Sequence, residues 1–219
     1  MTPETVVVDY DRGNLFSVCQ AVARVGGRPR LTADPAVVSG AERVILPGVG
    51  AFGDAMAGLR ARGLDDAVKR FAATGRPLLG ICLGMELLLD ESNEFGRHEG
   101  LGLIPGLVDR LPESVPGSGE KVPNVGWCRL MPAEGGTPWA ESLFRGVKPG
   151  DFAYFVHSFA AWPREGHHRL ADISFAGAAI SAAITAGPVS GCQFHPEKSG
   201  EVGLSILDAF VNGPVRGGA

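Results

Sequence analysis

RPLLGICLGMELLLD, residues 76 to 90, is the stretch that decides the fold. Pro77 to Ile81 is a continuous apolar run of strand length, and from Leu83 onward the segment reads as a helix. A strand without polar alternation is buried on both faces, so it belongs inside a parallel sheet with helices over each side. Cys82 stands at the corner between strand and helix, with Gly80 and Gly84 flanking it. Glycines at those places permit a sharp strand-to-helix turn that projects the residue between them at the carboxyl end of the sheet.

Working outward, the first half repeats this alternation. TVVVDY (Thr5 to Tyr10) reads as a buried strand and NLFSVCQAVARVG (Asn14 to Gly26) as a helix closed by glycine. RVILPGVG (Arg43 to Gly50) reads as a strand ending in a glycine turn, and residues 54–63 and 64–75 as helices. Beyond about Gly100 the pattern changes to strand-like segments divided by turns, with a clear helix only at Gly200 to Asn212. A parallel α/β sheet joined to an antiparallel meander is the expectation, with residues 1–219 as one domain. Pro112 to Lys121 reads as a surface connection.

Composition excludes several classes. The net charge is −4, with 20 basic against 24 acidic residues, so there is no electrostatic footprint for nucleic acid and no basic face for a membrane. No apolar run reaches the length of about 18 residues that a transmembrane helix needs, and MTPETVVVDY lacks the pattern of a signal peptide. Cys19, Cys82, Cys128 and Cys192 are too few and too scattered for a disulfide scaffold, which fits a reducing cytoplasm.

A lone cysteine is most often a small buried hydrophobe. At an elbow it can instead be a nucleophile, because a helix N-terminus favours the thiolate and offers amide donors to an oxyanion. Such a thiol needs a base, and the base an orienting group. His98, His167 and His168 lie in polar, loop-like stretches, whereas His157 and His195 end apolar strands. In CQFHPEKS, Glu197 follows His195 by two residues, and in extended backbone such residues point to the same side. Cys82, His195 and Glu197 together form a candidate triad.

GICLGMELL and QFHPEKSG, in this order, resemble the class I (triad) glutamine amidotransferases. More narrowly, DYDRGNLFSV, LPGVGAFGDAM, GLGLIPG, VPNVGW, YFVHSF and QFHPEKSGEVGL resemble the glutaminase subunits of imidazole glycerol phosphate synthases. The resemblance implies a three-layer, flavodoxin-like α/β domain with a central mixed sheet and a flanking antiparallel section. It implies that Cys82 attacks the carboxamide of L-glutamine, with His195 as general base and then acid and Glu197 orienting it. Val49, Gly50 and Leu83 would form the oxyanion hole after a peptide rearrangement in PGVG (Pro47 to Gly50). Gly48, Glu86, Glu94, His157, Ser158 and Phe159 would line the substrate, Glu94 at its α-amino group and residues 157–159 at its carboxylate. Asn14, Trp127, Tyr154 and Lys198 would face a (β/α)8-barrel cyclase in a heterodimer, which receives the ammonia through a closed channel. The products would be imidazole glycerol phosphate and an aminoimidazole carboxamide ribonucleotide, on the histidine pathway. No cofactor or metal is implied.

Some positions depart from the family pattern. Glu86 stands where glutamine is usual, four residues past the nucleophile; a carboxylate cannot donate to the substrate and opposes thiolate formation. Asn124 replaces a histidine, Cys128 an asparagine and Phe159 a tyrosine. The first two are expected on the cyclase-facing side. They leave open a paralogous glutaminase that feeds ammonia to an amidotransferase of surface-sugar (amidine) biosynthesis. Glu86 leaves open a regulatory homologue with an impaired triad. A γ-glutamyl peptidase would share Cys-His-Glu but lack VPxxGW and HPEKSG.

Overall fold

The computed structural model describes residues 4–113 and 121–214. Most of the expected Pro112–Lys121 connection therefore lies outside the described residues. The elements run β1 (Glu4–Val8), α1 (Leu15–Arg24), β2 (Arg28–Thr32), α2 (Pro35–Gly40), β3 (Val44–Gly48), α3 (Phe52–Ala61), α4 (Leu64–Ala72) and β4 (Leu78–Cys82). After the short α5 (Leu83–Glu86) come β5 (Glu91–Ser92), β6 (His98–Glu99), β7 (Gly106–Arg110), β8 (Asn124–Arg129), β9 (Met131–Pro132), β10 (Phe152–His157) and β11 (Phe159–Pro163). β12 (Arg169–Phe175), β13 (Ala178–Ala186), β14 (Val189–Cys192) and α6 (Gly200–Val211) complete the order.

The main sheet has eight strands in the order β2-β1-β3-β4-β14-β13-β12-β9. β2 to β14 pair in parallel, and β14, β13, β12 and β9 are joined antiparallel. This is the mixed sheet expected from the change in pattern. The continuous apolar runs have their reason in the two layers that cover the sheet. Val7, Ile45, Leu79 and Ile81 join one core cluster with residues of α1 and α6; Val6, Val8, Val44, Leu46 and Leu78 join a second with residues of α2, α3 and α4. Alternate side chains of one strand thus fill opposite cores, each worth about 1.5–3 kcal/mol when fully buried.

Two smaller sheets flank this one: β10 pairs antiparallel with β8, and β11-β7-β5-β6 forms a four-stranded sheet. YFVHSFA, which reads as one strand, is two. Ser158 passes the chain from the β8 partner to the β7 partner, and its carbonyl accepts from the Leu111 amide. The helix after Cys82 is also shorter than its apolar pattern suggests. Leu87, Leu88 and Leu89 are buried, but their carbonyls accept from the amides of Leu101, Leu103 and Gly102, which takes the backbone out of the helix.

Candidate active site

The corner at Cys82 is built by close approach. A Cβ at Gly84 would lie 1.8 Å from the Leu46 carbonyl oxygen, and one at Gly80 2.5 Å from the Gly84 carbonyl oxygen. Glycine alone lets α5 sit this tightly against β3 and β4. Cys82 itself has φ 55° and ψ −115°, the left-handed side of backbone space that costs a non-glycine residue about 1–3 kcal/mol. That strain is what turns the thiol out of the sheet. Opposite it in register stands Gly48, the second residue of PGVG.

A cavity of about 340 Å³ opens there, lined by Val49, Gly50, Cys82, Leu83, Glu86, Glu94, Pro123, Val156, His157, Ser158, Phe159 and His195. Nearly all of the expected catalytic, oxyanion and substrate-lining residues therefore meet in one place. Gly48 lies just behind the wall, packed against the Tyr10 hydroxyl and Leu83. Among the residues that sequence reading missed, Tyr10 donates to the Pro47 carbonyl (2.8 Å) and so anchors PGVG from beneath. DYDRGN carries that tyrosine, but only the distant partner reveals its task.

His195 Nδ1 lies 2.8 Å from Glu197 Oε1, and the two side chains are 4% and 0% exposed. The carboxylate fixes the ring so that Nε2 is the nitrogen left for the cavity and Cys82. The contact is made differently from the expected extended pair. His195 precedes a 3-10 turn, Pro196–Lys198, and the turn carries Glu197 back to the imidazole. The loop is pinned on both sides: the His195 amide donates to the Tyr154 carbonyl (3.0 Å), and Ser199 Oγ donates to the His195 carbonyl (2.7 Å) while accepting from the Tyr154 amide (3.0 Å). Ser199, two residues past Glu197, holds this loop in place, and its spacing alone did not mark it.

The electrostatics favour a resting, neutral thiol. Burial pushes Cys82 up most, the Glu86 carboxyl adds to it, and the hydrogen bond from the Leu83 amide pulls it back down in part. Glu86 is itself buried and accepts from Gln193 Nε2 at 2.8 Å. Glu94 lines the cavity with one oxygen held by the Phe52 amide (2.6 Å), the first residue of α3, so only its other oxygen is free for a ligand. His157 is neutral, burial pushing it down to about 4. Its Nδ1 donates to the Phe159 carbonyl (2.8 Å) and its Nε2 accepts from Asn124 Nδ2 (3.0 Å). The ring thus brings no unused donor to the cavity. His98, expected to be solvated, is half-buried against Gly53.

Asn124 and Cys128 lie on the inner side of β8. β8 alternates, with Val125, Trp127 and Arg129 outward and Asn124 buried on the other side, where Cys128 Sγ is 3.6 Å from its amide nitrogen. Both departures from the family pattern lie on the inner face, beside His157, and not on the outer surface. Trp127, by contrast, is 55% exposed and meets Tyr154 edge-on with ring centroids 5.9 Å apart. Lys198 is exposed, and the Asn14 side chain makes no capping bond at the start of α1.

The family model for the glutamine amidotransferase class-I domain matches residues 6–212. The chain belongs to the class I glutamine amidotransferases. Imidazole glycerol phosphate synthase subunit HisH 1 of Legionella pneumophila (strain Lens) is 46% identical over 206 residues, covering 94% of this chain and 97% of that protein. Subunit HisH of Syntrophotalea carbinolica is 44% identical over 210 residues, covering 94% and 98%. Among solved structures, PurLQS from Thermotoga maritima superposes with a TM-score of 0.73 at 21% identity, over 97% of this chain and 99% of that one. A further glutamine amidotransferase structure matches at 0.69 and 20%, over 95% and 99%. These structural matches show the amidotransferase fold.

Proposed function

We propose that the chain, working as one domain, is the glutaminase subunit of an imidazole glycerol phosphate synthase. It hydrolyses L-glutamine to glutamate and ammonia and passes the ammonia to a (β/α)8-barrel cyclase of histidine biosynthesis in the cytoplasm. The observation that carries this is His195, held by the buried Glu197 and lining one cavity with Cys82 at a strained elbow. The 44–46% identity to the two HisH subunits, over nearly their whole length, supports the pathway.

In the reaction, His195 Nε2 takes the thiol proton as Cys82 Sγ attacks the glutamine carboxamide carbon. The Leu83 and Val49 amides receive the oxyanion, about 3–4 kcal/mol for each well-aimed donor. The protonated imidazole returns its proton to the leaving nitrogen, ammonia departs, and a glutamyl thioester remains. Water activated by the same imidazole then attacks the thioester, releasing glutamate and the thiol. Glu94, through its free oxygen, holds the α-amino group, and the Gly48 and Ser158–Phe159 segments border the substrate. Glu197 never needs to take the proton; it holds the ring's tautomer and steadies the imidazolium. Glu197→Gln is expected to lower kcat roughly a hundred- to ten-thousandfold with little change in KM, measured as glutamate release by the assembled complex.

The cyclase docks on the outward face of β8 and β10, where Val125, Trp127, Phe152 and Val156 are exposed apolar side chains. That face is one hydrogen bond from the triad, because Tyr154 of β10 receives the His195 amide. The family resemblance puts Asn14 and Lys198 on the partner's side as well. Trp127→Ala should weaken the complex by about 2 kcal/mol, roughly thirtyfold in Kd, read by titration with the barrel subunit. The function itself is tested by glutamate release from the chain alone and with the histidine-pathway cyclase of the same genome, with and without its ribonucleotide. Strong stimulation by the loaded cyclase supports the proposal. A folded chain that shows none serves another acceptor enzyme or carries an impaired triad, and the proposal fails.

A further inference from the structure

Glu86 is the buried group that the reaction above leaves unused. Its carboxyl lines the substrate cavity one helical turn past Cys82, and it accepts a hydrogen bond from an amide donor, Gln193 Nε2 at 2.8 Å. Among the described residues no cation is in contact with it. Cys82 lies on the elbow before it, Cys192 on β14 and Tyr10 after β1, and Glu94, His157 and the His195–Glu197 pair complete the surroundings. The packed faces of β3 and β11 bring no titratable side chain. His157 is neutral with both nitrogens engaged, and Lys198 is exposed.

We propose that Glu86 works as a neutral carboxylic acid, held through one oxygen by Gln193, and donates its O–H into the cavity to glutamine. Resting on the function proposed above, this makes Glu86 a substrate-binding residue whose proton sets an alkaline limit on the enzyme. An ionised carboxylate at this place would be desolvated without a counter-ion, would repel Glu94, and would oppose thiolate formation at Cys82. As an acid it recovers the donor that an amide would supply there. Burial pushes its carboxyl up to about 8, Gln193 offsetting part of that and Glu94 adding to it. An amide at position 86 would lack this titration altogether.

The test compares the wild-type chain with Glu86→Gln in two readouts. The first is the melting temperature of each free chain between pH 5 and 9.5. A carboxyl whose folded-state value lies above its unfolded one holds a proton that the unfolded chain has lost, so folding weakens as pH rises between the two values. The wild type should therefore lose stability relative to the variant from about pH 5 to pH 8 and run parallel to it above. The second is kcat/KM for glutamine in the cyclase complex. The wild-type-to-variant ratio should be flat below pH 7 and fall about tenfold per pH unit above 8. A melting-temperature difference that does not change with pH overturns the neutral acid. A pH-dependent difference together with a flat activity ratio overturns its donor role. Glutamine turnover by neither variant, with the melting trend intact, overturns the function proposed above and the donor role with it.

Discussion

Cys82→Ser is expected to abolish glutamate release by the cyclase complex, lowering kcat by at least about four orders of magnitude while the chain still folds and still binds its partner. The size follows from what the thiol does. It is the attacking atom, and removing the nucleophile of a unit that acts together with its base costs nearly as much as removing the whole unit. Serine fits the site, since it is smaller than the cysteine it replaces and leaves the backbone geometry to the glycines around it. Its hydroxyl is a far weaker nucleophile than a thiol paired with imidazole. The measurement is single-turnover glutamate formation beside a calorimetric trace and a partner titration. Residual turnover above a hundredth of the wild type would mean that another group performs the attack.

Gly84→Ala is expected to have the largest effect on the fold. Its Cβ would stand 1.8 Å from the Leu46 carbonyl oxygen, an atom of the central sheet backbone that cannot swing aside. Relief requires α5 to lift from β3, which also displaces Cys82 and the Leu83 amide. A loss of more than about 3 kcal/mol is expected, seen as a lower urea midpoint or as failure to recover folded protein. Gly40→Ala is the control. Its added Cβ meets nothing within 4 Å, so the urea midpoint should stay within the range of a surface change. If Gly84→Ala melted like the control, the close packing of the elbow would not be what holds it.

The elbow was legible because three local signals coincide in RPLLGICLGMELLLD: a run too apolar for a one-faced strand, a helix-like continuation, and glycines two residues either side of the thiol. The structure puts Leu78–Cys82 between two cores and needs both glycines, for the reason the pattern suggests. The His195–Glu197 pair was legible in spacing, although a 3-10 turn and not extended backbone brings the two together. What could not be read are features decided by distant partners. RPRLT gives no strong pattern, because β2 is an edge strand that among the described residues pairs with β1 alone, and it is largely exposed. MELLLD looks like a longer helix, because the amides of residues 101–103 that capture its carbonyls lie a dozen or more positions away. The motif around Asn124 does not tell which side of its strand the residue occupies. Pairing of Asn124 with His157 across β8 and β10 sets the alternation that turns it inward, and Trp127 outward.

Gln193, Tyr10 and Ser199 share that difficulty. Each acts on a functional residue far from it in sequence or through its backbone: Gln193 on Glu86, Tyr10 on Pro47, Ser199 on the His195 carbonyl. Single-sequence patterns report which face a residue occupies, whereas these roles depend on which groups the topology brings opposite.

The covalent intermediate tests the central claim most directly. The cyclase complex is mixed with glutamine, quenched in acid within the first turnovers, and digested for mass spectrometry. The account predicts one added glutamyl group, carried by the peptide that contains Cys82 and absent from Cys82→Ser. Rapid ammonia release with no glutamyl adduct, or with the adduct on Cys19, Cys128 or Cys192, would contradict it.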